Sequence, residues 1–210
     1  DYIHQQGLYG EVTIEQWNGT NLPYTDNLVN LLIAENLGKI SMDEVMRVLS
    51  PQGVAYIKED GEWKKTVKPR PGNTDEWTHY LHGPSNNAVA QDTKVGPLHN
   101  LQWKAKPLFS RSHELIPSIR SLVSAKGRIF YTMDEAPAGV KDPRVPSQWK
   151  LIARDAYNGI VLWKREITGG TPVASSHACL VAVRDSVYMT LNKNSEVSVL
   201  DAATGETLQN

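Results

Sequence analysis

Apolar and polar residues alternate over much of this chain, and the period changes along it. Residues 2–8 read as the end of a helix closed by Gly7 or Gly10, since glycine takes the left-handed conformation that ends helices. Residues 11–15 (Glu-Val-Thr-Ile-Glu) alternate as a strand. Residues 28–34 (Leu-Val-Asn-Leu-Leu-Ile-Ala) are an almost continuous apolar run, the pattern of a strand covered on both faces. Ser41 has N-cap chemistry and Glu44 completes a capping-box pattern, so a helix starts there, with Val45, Met46, Val48 and Leu49 as its apolar face. Pro51-Gln52-Gly53 ends it, and residues 54–58 form the next strand. Beyond residue 75 the period is that of strands. Residues 151–163 read strand, turn, strand, with Asn158-Gly159 supplying the positive φ of a hairpin turn.

That hairpin recurs. Residues 197–208 repeat residues 151–162, with Asp155 matching Asp201 and Gly159 matching Gly205. Further back, residues 122–132 line up with 180–190, and the first copy carries extra residues in a Pro-containing loop near 134–147. A repeat of roughly 45 residues with several short strands per unit is the mark of a propeller blade. The "Asp-Ala-x-x-Gly-x-x-Leu-Trp" pattern resembles the repeat of the pyrroloquinoline-quinone (PQQ)-type propeller family, over residues 75–210. Residues 75–84 and 95–104 resemble that family's entry segment, with Trp103-Lys104 matching Trp163-Lys164 as the outermost strand of a blade. Asp155 and Asp201 recur together, so the expected job is capping the turn, with Gly159 and Gly205 as its glycines. Trp103 and Trp163 recur at one position and are expected to pack neighbouring units; Gln209 stands where a third would fall.

The first sixty residues carry a second resemblance. Asn21-Leu22-Pro23-Tyr24-Thr25-Asp26-Asn27, then residues 44–54 (Glu-Val-Met-Arg-Val-Leu-Ser-Pro-Gln-Gly-Val), look like the class I S-adenosylmethionine (SAM)-dependent methyltransferase family. The resemblance implies the C-terminal half of a Rossmann-like α/β domain, with Asn18, Gly19 and Leu22 on the adenine side of SAM. Asn18 and Asn30 stand where that family has Asp, and Gln52 where it has Gly. The glycine-rich loop and the ribose-binding acid are missing, so this segment is expected to be catalytically silent as it stands.

Composition narrows the function classes. Lys and Arg number 22 and Asp and Glu 23, for a net charge of −1, which offers no field for nucleic acid or anionic lipid. No apolar run approaches the ~18 residues that span a bilayer, and no stretch reads as a signal peptide. The one cysteine, Cys179, excludes an internal disulfide and reads as a core residue of an apolar strand. Lys64, Lys65, Lys68 and Arg70 lie in a Pro-containing stretch that reads as a solvated linker over residues 63–74.

Candidate chemistry is sparse. His79 and His82, with Asp75, Glu76, His113 and Glu114, are metal-ligand types, but spacing of three converges on a helix and this stretch looks irregular, so hydrogen-bonded or exposed histidines are expected. Arg111 and Arg120 are the candidates for binding the carboxylates that a PQQ-type quinone carries, by bidentate geometry.

The combined expectation is an α/β half-domain (a Rossmann-like methyltransferase fragment, residues 1–62), a linker, and an all-β partial β-propeller of four-stranded blades (residues 75–210). Blades bury their faces only against neighbours, so about one and a half should be poorly stable alone, which implies a longer parent with further blades as partners. Three functions follow from the resemblances. The first is a scaffold for a protein or carbohydrate ligand. The second is a quinone-dependent dehydrogenase using PQQ, and the third a SAM-dependent methyltransferase completed upstream. The chain alone is expected to carry no cofactor and no activity, and the propeller resemblance implies an extracytoplasmic (periplasmic) setting.

Overall fold

The computed structural model describes residues 2–94, 101–107, 118–140, 142, 144–168, 179–191 and 196–209. The chain divides into two compact units, Asp1–Lys68 and Pro69–Asn210.

In the first unit, α1 (Tyr2–Gln5) is one turn, closed at Gly7 with φ 69°. β1 (Val29–Ala34) runs parallel to β2 (Leu49–Glu59), and β3 (Glu62–Val67) pairs antiparallel with β2, giving the order β1-β2-β3. The helix between the parallel strands, α2 (Met42–Val48), starts where Ser41 Oγ accepts the Glu44 amide at 3.2 Å. Its Val45 and the following Leu49 pack on Ala55 and Ile57 of β2. Burying each such side chain is worth about 1.5–3 kcal/mol, far more than the helix's own propensity. The sheet's other face is open, with Leu31 at 52% and Ile33 at 64% exposure. β2 continues without a break from the helix through Pro51, Gln52 and Gly53, with a register shift opposite Val29–Leu31.

The second unit holds two antiparallel four-stranded sheets. Sheet 1 is β4 (Ile119–Ala125), β5 (Arg128–Asp134), β6 (Trp149–Asp155) and β7 (Val161–Glu166). Sheet 2 is β8 (Val181–Val183), β9 (Ser186–Met189), β10 (Ser198–Asp201) and β11 (Thr207–Gln209). In each, neighbours in sequence are neighbours in the sheet. One core joins them: Val123, Ala125, Phe130, Leu151, Ala153 and Trp163 of sheet 1 meet Leu180, Ala182, Val187, Met189, Leu200 and Ala202 of sheet 2. Among the described residues, no helix is long and apolar enough to cross a membrane.

The expected fold class is corrected. The described residues are mostly β, 39% strand against 7% helix, in three small separate sheets. Among the described residues no Rossmann-like half-domain is formed, and no closed propeller. A doubly wound fold needs a run of parallel strands with helices on both faces. Here one parallel pair is covered by one seven-residue helix on one side, and β3 turns the sheet mixed. A ring needs about four to eight blades; the described residues supply two stacked sheets.

Four local expectations also change. The double-sided burial read into residues 28–34 is one-sided. Residues 11–15 form no strand beyond a Tyr9–Val12 bridge. Residues 63–67, read as the start of the linker, belong to β3 (Glu62–Val67), because Trp63, Lys65 and Val67 alternate against β2. Cys179 lies exposed just before Leu180, outside any strand.

Candidate functional site

The most organised constellation in the second unit is a pair of tryptophan-in-turn joints. At the end of β6, Asp155 Oδ1 accepts the amides of Tyr157 (2.8 Å) and Asn158 (3.2 Å), and Gly159 follows at φ 74°. At the end of β10, Asp201 Oδ1 accepts the amides of Ala203 and Thr204, both at 2.8 Å, and Gly205 follows at φ 73°. Each turn receives an indole. Trp103 Nε1 donates to Ala156 O at 2.9 Å, and Trp163 Nε1 donates to Ala202 O at 3.1 Å. A Cβ on Gly159 would lie 2.4 Å from the Trp103 ring, and one on Gly205 would lie 2.6 Å from the Trp163 ring. Only glycine meets both demands, a positive φ and an aromatic plane against its Cα. The Thr204 and Ala203 amides hold the Asp201 carboxyl below the usual carboxylate range.

Guanidinium groups complete both joints. Arg154 is 7% exposed; its Nε donates to the Tyr131 hydroxyl at 2.8 Å, Nη1 to Gly159 O and Nη2 to Lys106 O. Arg165 Nη1 donates to Gly205 O and Nη2 to Thr207 Oγ1. Arg154 borders an apolar hollow of about 240 Å³ on the outer face of sheet 1, walled by Trp103, Ile119, Leu122, Ile129 and Met133.

Residues 75–82 tie the two sheets together at their first strands. The Ser124 amide of β4 donates to Trp77 O at 2.7 Å and the Trp77 amide donates to Ser124 Oγ at 3.0 Å, and the Ala182 amide of β8 donates to Thr78 O at 3.0 Å. His82 Nε2 meets Asp75 Oδ2 at 2.7 Å, and the His82 ring sits edge-on to Trp77, 5.4 Å between centroids. Asp75 also accepts the Gln91 and Glu76 amides, and those bonds together with His82 hold its carboxyl low. Thr78 Oγ1 occupies His79 Nδ1 at 2.8 Å. Among the described residues, no group of three or more His, Cys, Asp or Glu side chains is placed to hold a metal ion. His113, Glu114 and Arg111 lie outside the described residues.

The remaining sequence candidates separate. Arg120 is on β4 with its guanidinium 5.8 Å from the centre of the Trp149 ring, a cation–π arrangement. Asn18 and Gly19 lie in an exposed loop, where Gly19 packs under Trp17. Leu22 lines a cleft of about 450 Å³ with Trp17, Pro23 and Tyr24, and its amide donates to Glu44 Oε1 at 2.6 Å. Glu44 is held low by Arg47, which also pairs with Asp26 at 2.7 Å. The capping-box glutamate therefore anchors the Leu22 loop instead of closing back on Ser41.

Sequence reading missed Arg154, Arg165 and the Asp75–His82 pair as parts of one framework. The signal was weak. Arg154 is where the second copy has Leu200, so the repeat itself hid it. No protein-family model matches the chain, and no curated protein is significantly similar to it.

Proposed function

We propose that the chain is a binding scaffold built from repeated β-sheets, whose apolar outer faces receive a protein partner. The observation behind this reading is the joint at Gly205, where the face and the peg of one sheet fit the face and the turn of the next. The ionisable groups nearby are engaged in framework bonds: Asp155 and Asp201 in turns, Arg154 and Arg165 on glycine carbonyls, Asp75 and His82 on each other. What the surface offers instead is apolar sheet: Leu122 on sheet 1, Val183 and Tyr188 on sheet 2. Apolar faces of this kind, with an aromatic ring at Tyr188, suit a protein surface.

Calorimetric titration of the chain with SAM and with PQQ tests this reading. Neither ligand is expected to give heat. Saturable binding of SAM would replace the scaffold with a methyltransferase reading centred on Leu22 and Trp17, and saturable binding of PQQ with a quinoprotein reading.

A further inference from the structure

Residues 101–107 lie over the outer face of sheet 1 and leave a hollow between segment and sheet. Trp103 holds the segment to the turn at Ala156 O, and Arg154 Nη2 holds it at Lys106 O, 3.0 Å away. Strand register sets the floor. Ile119 lies opposite Met133 and Leu122 opposite Tyr131 across β4 and β5, and Ile129 lies opposite Arg154 across β5 and β6. Met133 and Tyr131 are buried, whereas Ile119 and Leu122 are 48% and 50% exposed, so the hollow of about 240 Å³ opens past them to solvent.

The lining carries one sign of charge. Arg154 and Lys106 border the hollow, and no acid does among the described residues that line it. Arg154 is buried, and a guanidinium has five N–H donors. Three of them are engaged, by the Tyr131 hydroxyl, Gly159 O and Lys106 O, and all three acceptors are neutral. One N–H on each terminal nitrogen remains, and the cation meets no carboxylate among the described residues. A buried charge is costly until an opposite charge pairs with it. The rest of the wall is apolar: Ile119, Leu122, Ile129, Met133 and the Trp103 ring. Such a wall gives a hydrated inorganic ion nothing, but it suits an organic body carrying one negative group.

We infer that this hollow binds a small organic monocarboxylate. Its carboxylate pairs with Arg154 through charge-assisted hydrogen bonds, and its apolar body rests on Leu122, Ile129 and Met133. The size fits, since a dry cavity of about 150 Å³ takes up benzene and this one admits a body of about two fused rings. The inference goes beyond the scaffold reading and does not rest on it, because a protein partner on the outer faces neither needs nor supplies this ligand.

Titration of the full chain with 2-naphthoate, followed through the ¹³C-methyl signals of its four methionines, tests the inference. Met133 lines the hollow, whereas Met42 and Met46 belong to the first unit and serve as internal controls. The Met133 signal is expected to move and saturate with a dissociation constant of about 0.1–1 mM, with Met42 and Met46 unmoved. 2-Naphthylmethanol has the same body without the charge and should bind at least about tenfold more weakly. Arg154→Met should bring acid and alcohol to the same affinity. Should that variant fail to fold, as circular dichroism shows, the comparison of acid and alcohol on the wild type decides by itself. A Met133 signal that stays fixed up to the solubility of the acid overturns the inference. So does equal affinity of the wild type for acid and alcohol, or movement of the Met42 and Met46 signals in step with Met133. Neither SAM nor PQQ enters these titrations, so failure here leaves the scaffold reading to its own test.

Discussion

Sheets 1 and 2 are two versions of one design, and they differ in what lies against them. Phe130 of sheet 1 is fully buried and tilts onto Trp163, 5.9 Å between ring centres; its counterpart Tyr188 is 37% exposed. Arg154 faces a hollow where Leu200 meets a packed core. Trp163 locks a neighbouring turn, whereas Gln209 is exposed. The apolar pattern is shared, so burial here is decided by the neighbour and not by the strand. Such stability is approximately a sum over units and interfaces, and one interface between sheets is described.

The comparison is broken most severely at the peg. Trp163→Ala should destabilise the second unit by about 3–5 kcal/mol, read by denaturant unfolding. Trp103→Ala should cost clearly less, because Trp103 is half-buried and holds a segment, not a sheet. If the two cost the same, the joints are equivalent and the asymmetry of the sheets is not energetic. Gly205→Ala comes next, with about 1–2 kcal/mol for the left-handed backbone and a comparable penalty for crowding the indole.

In the first unit, Gln52 sits at φ 70° where the methyltransferase-like pattern has Gly. Gln52→Gly should stabilise that unit by about 1 kcal/mol and leave the second unit's transition unmoved. Next to it, Gly53→Ala should destabilise, since a Cβ would lie 2.7 Å from Ser50 O and 2.9 Å from Val29 O. A shift of both units' transitions by either change would contradict their description as separate compact units.

The smallest effect is in pH. The Asp201 carboxyl is held below its ordinary value by the Thr204 and Ala203 amides, so its contribution is fully present above about pH 4 and is lost as the pH falls through the folded value. Asp201→Asn keeps an acceptor for the turn but does not titrate. Its loss of stability as the pH falls below about pH 4 should be shallower than that of the wild type, measured by thermal unfolding at fixed ionic strength.

Much of the second unit was legible in the chain. Two turns with Asp and Gly at matching positions, and an indole that recurs, are local chemistry, and local chemistry survives in a sequence. Ser41 was legible for the same reason. The misreadings lie where tertiary context decides. The apolar run at 28–34 predicts cover on two faces, and the fold supplies it on one. The lysines of β3 conceal a strand because they alternate with Trp63 and Val67 on an open sheet. Arg154 carries no signal in the sequence pattern, yet Tyr131, Gly159 and Lys106 supply acceptors for it inside. The two family resemblances promise a Rossmann half and a partial propeller. Motifs of a few residues fix turns and caps, but the number of strands and sheets assembled around them is set elsewhere.

The central claim is that the Trp163 indole seated on Gly205 joins one sheet to the next. A double-mutant cycle with Trp163→Ala and Gly205→Ala, followed by denaturant unfolding, measures it directly. With the ring gone, Gly205→Ala should retain only its backbone cost, leaving a coupling of about 1 kcal/mol or more between the two sites. Costs that simply add would mean that the indole and the turn do not act on each other, and the account of the joint would be wrong.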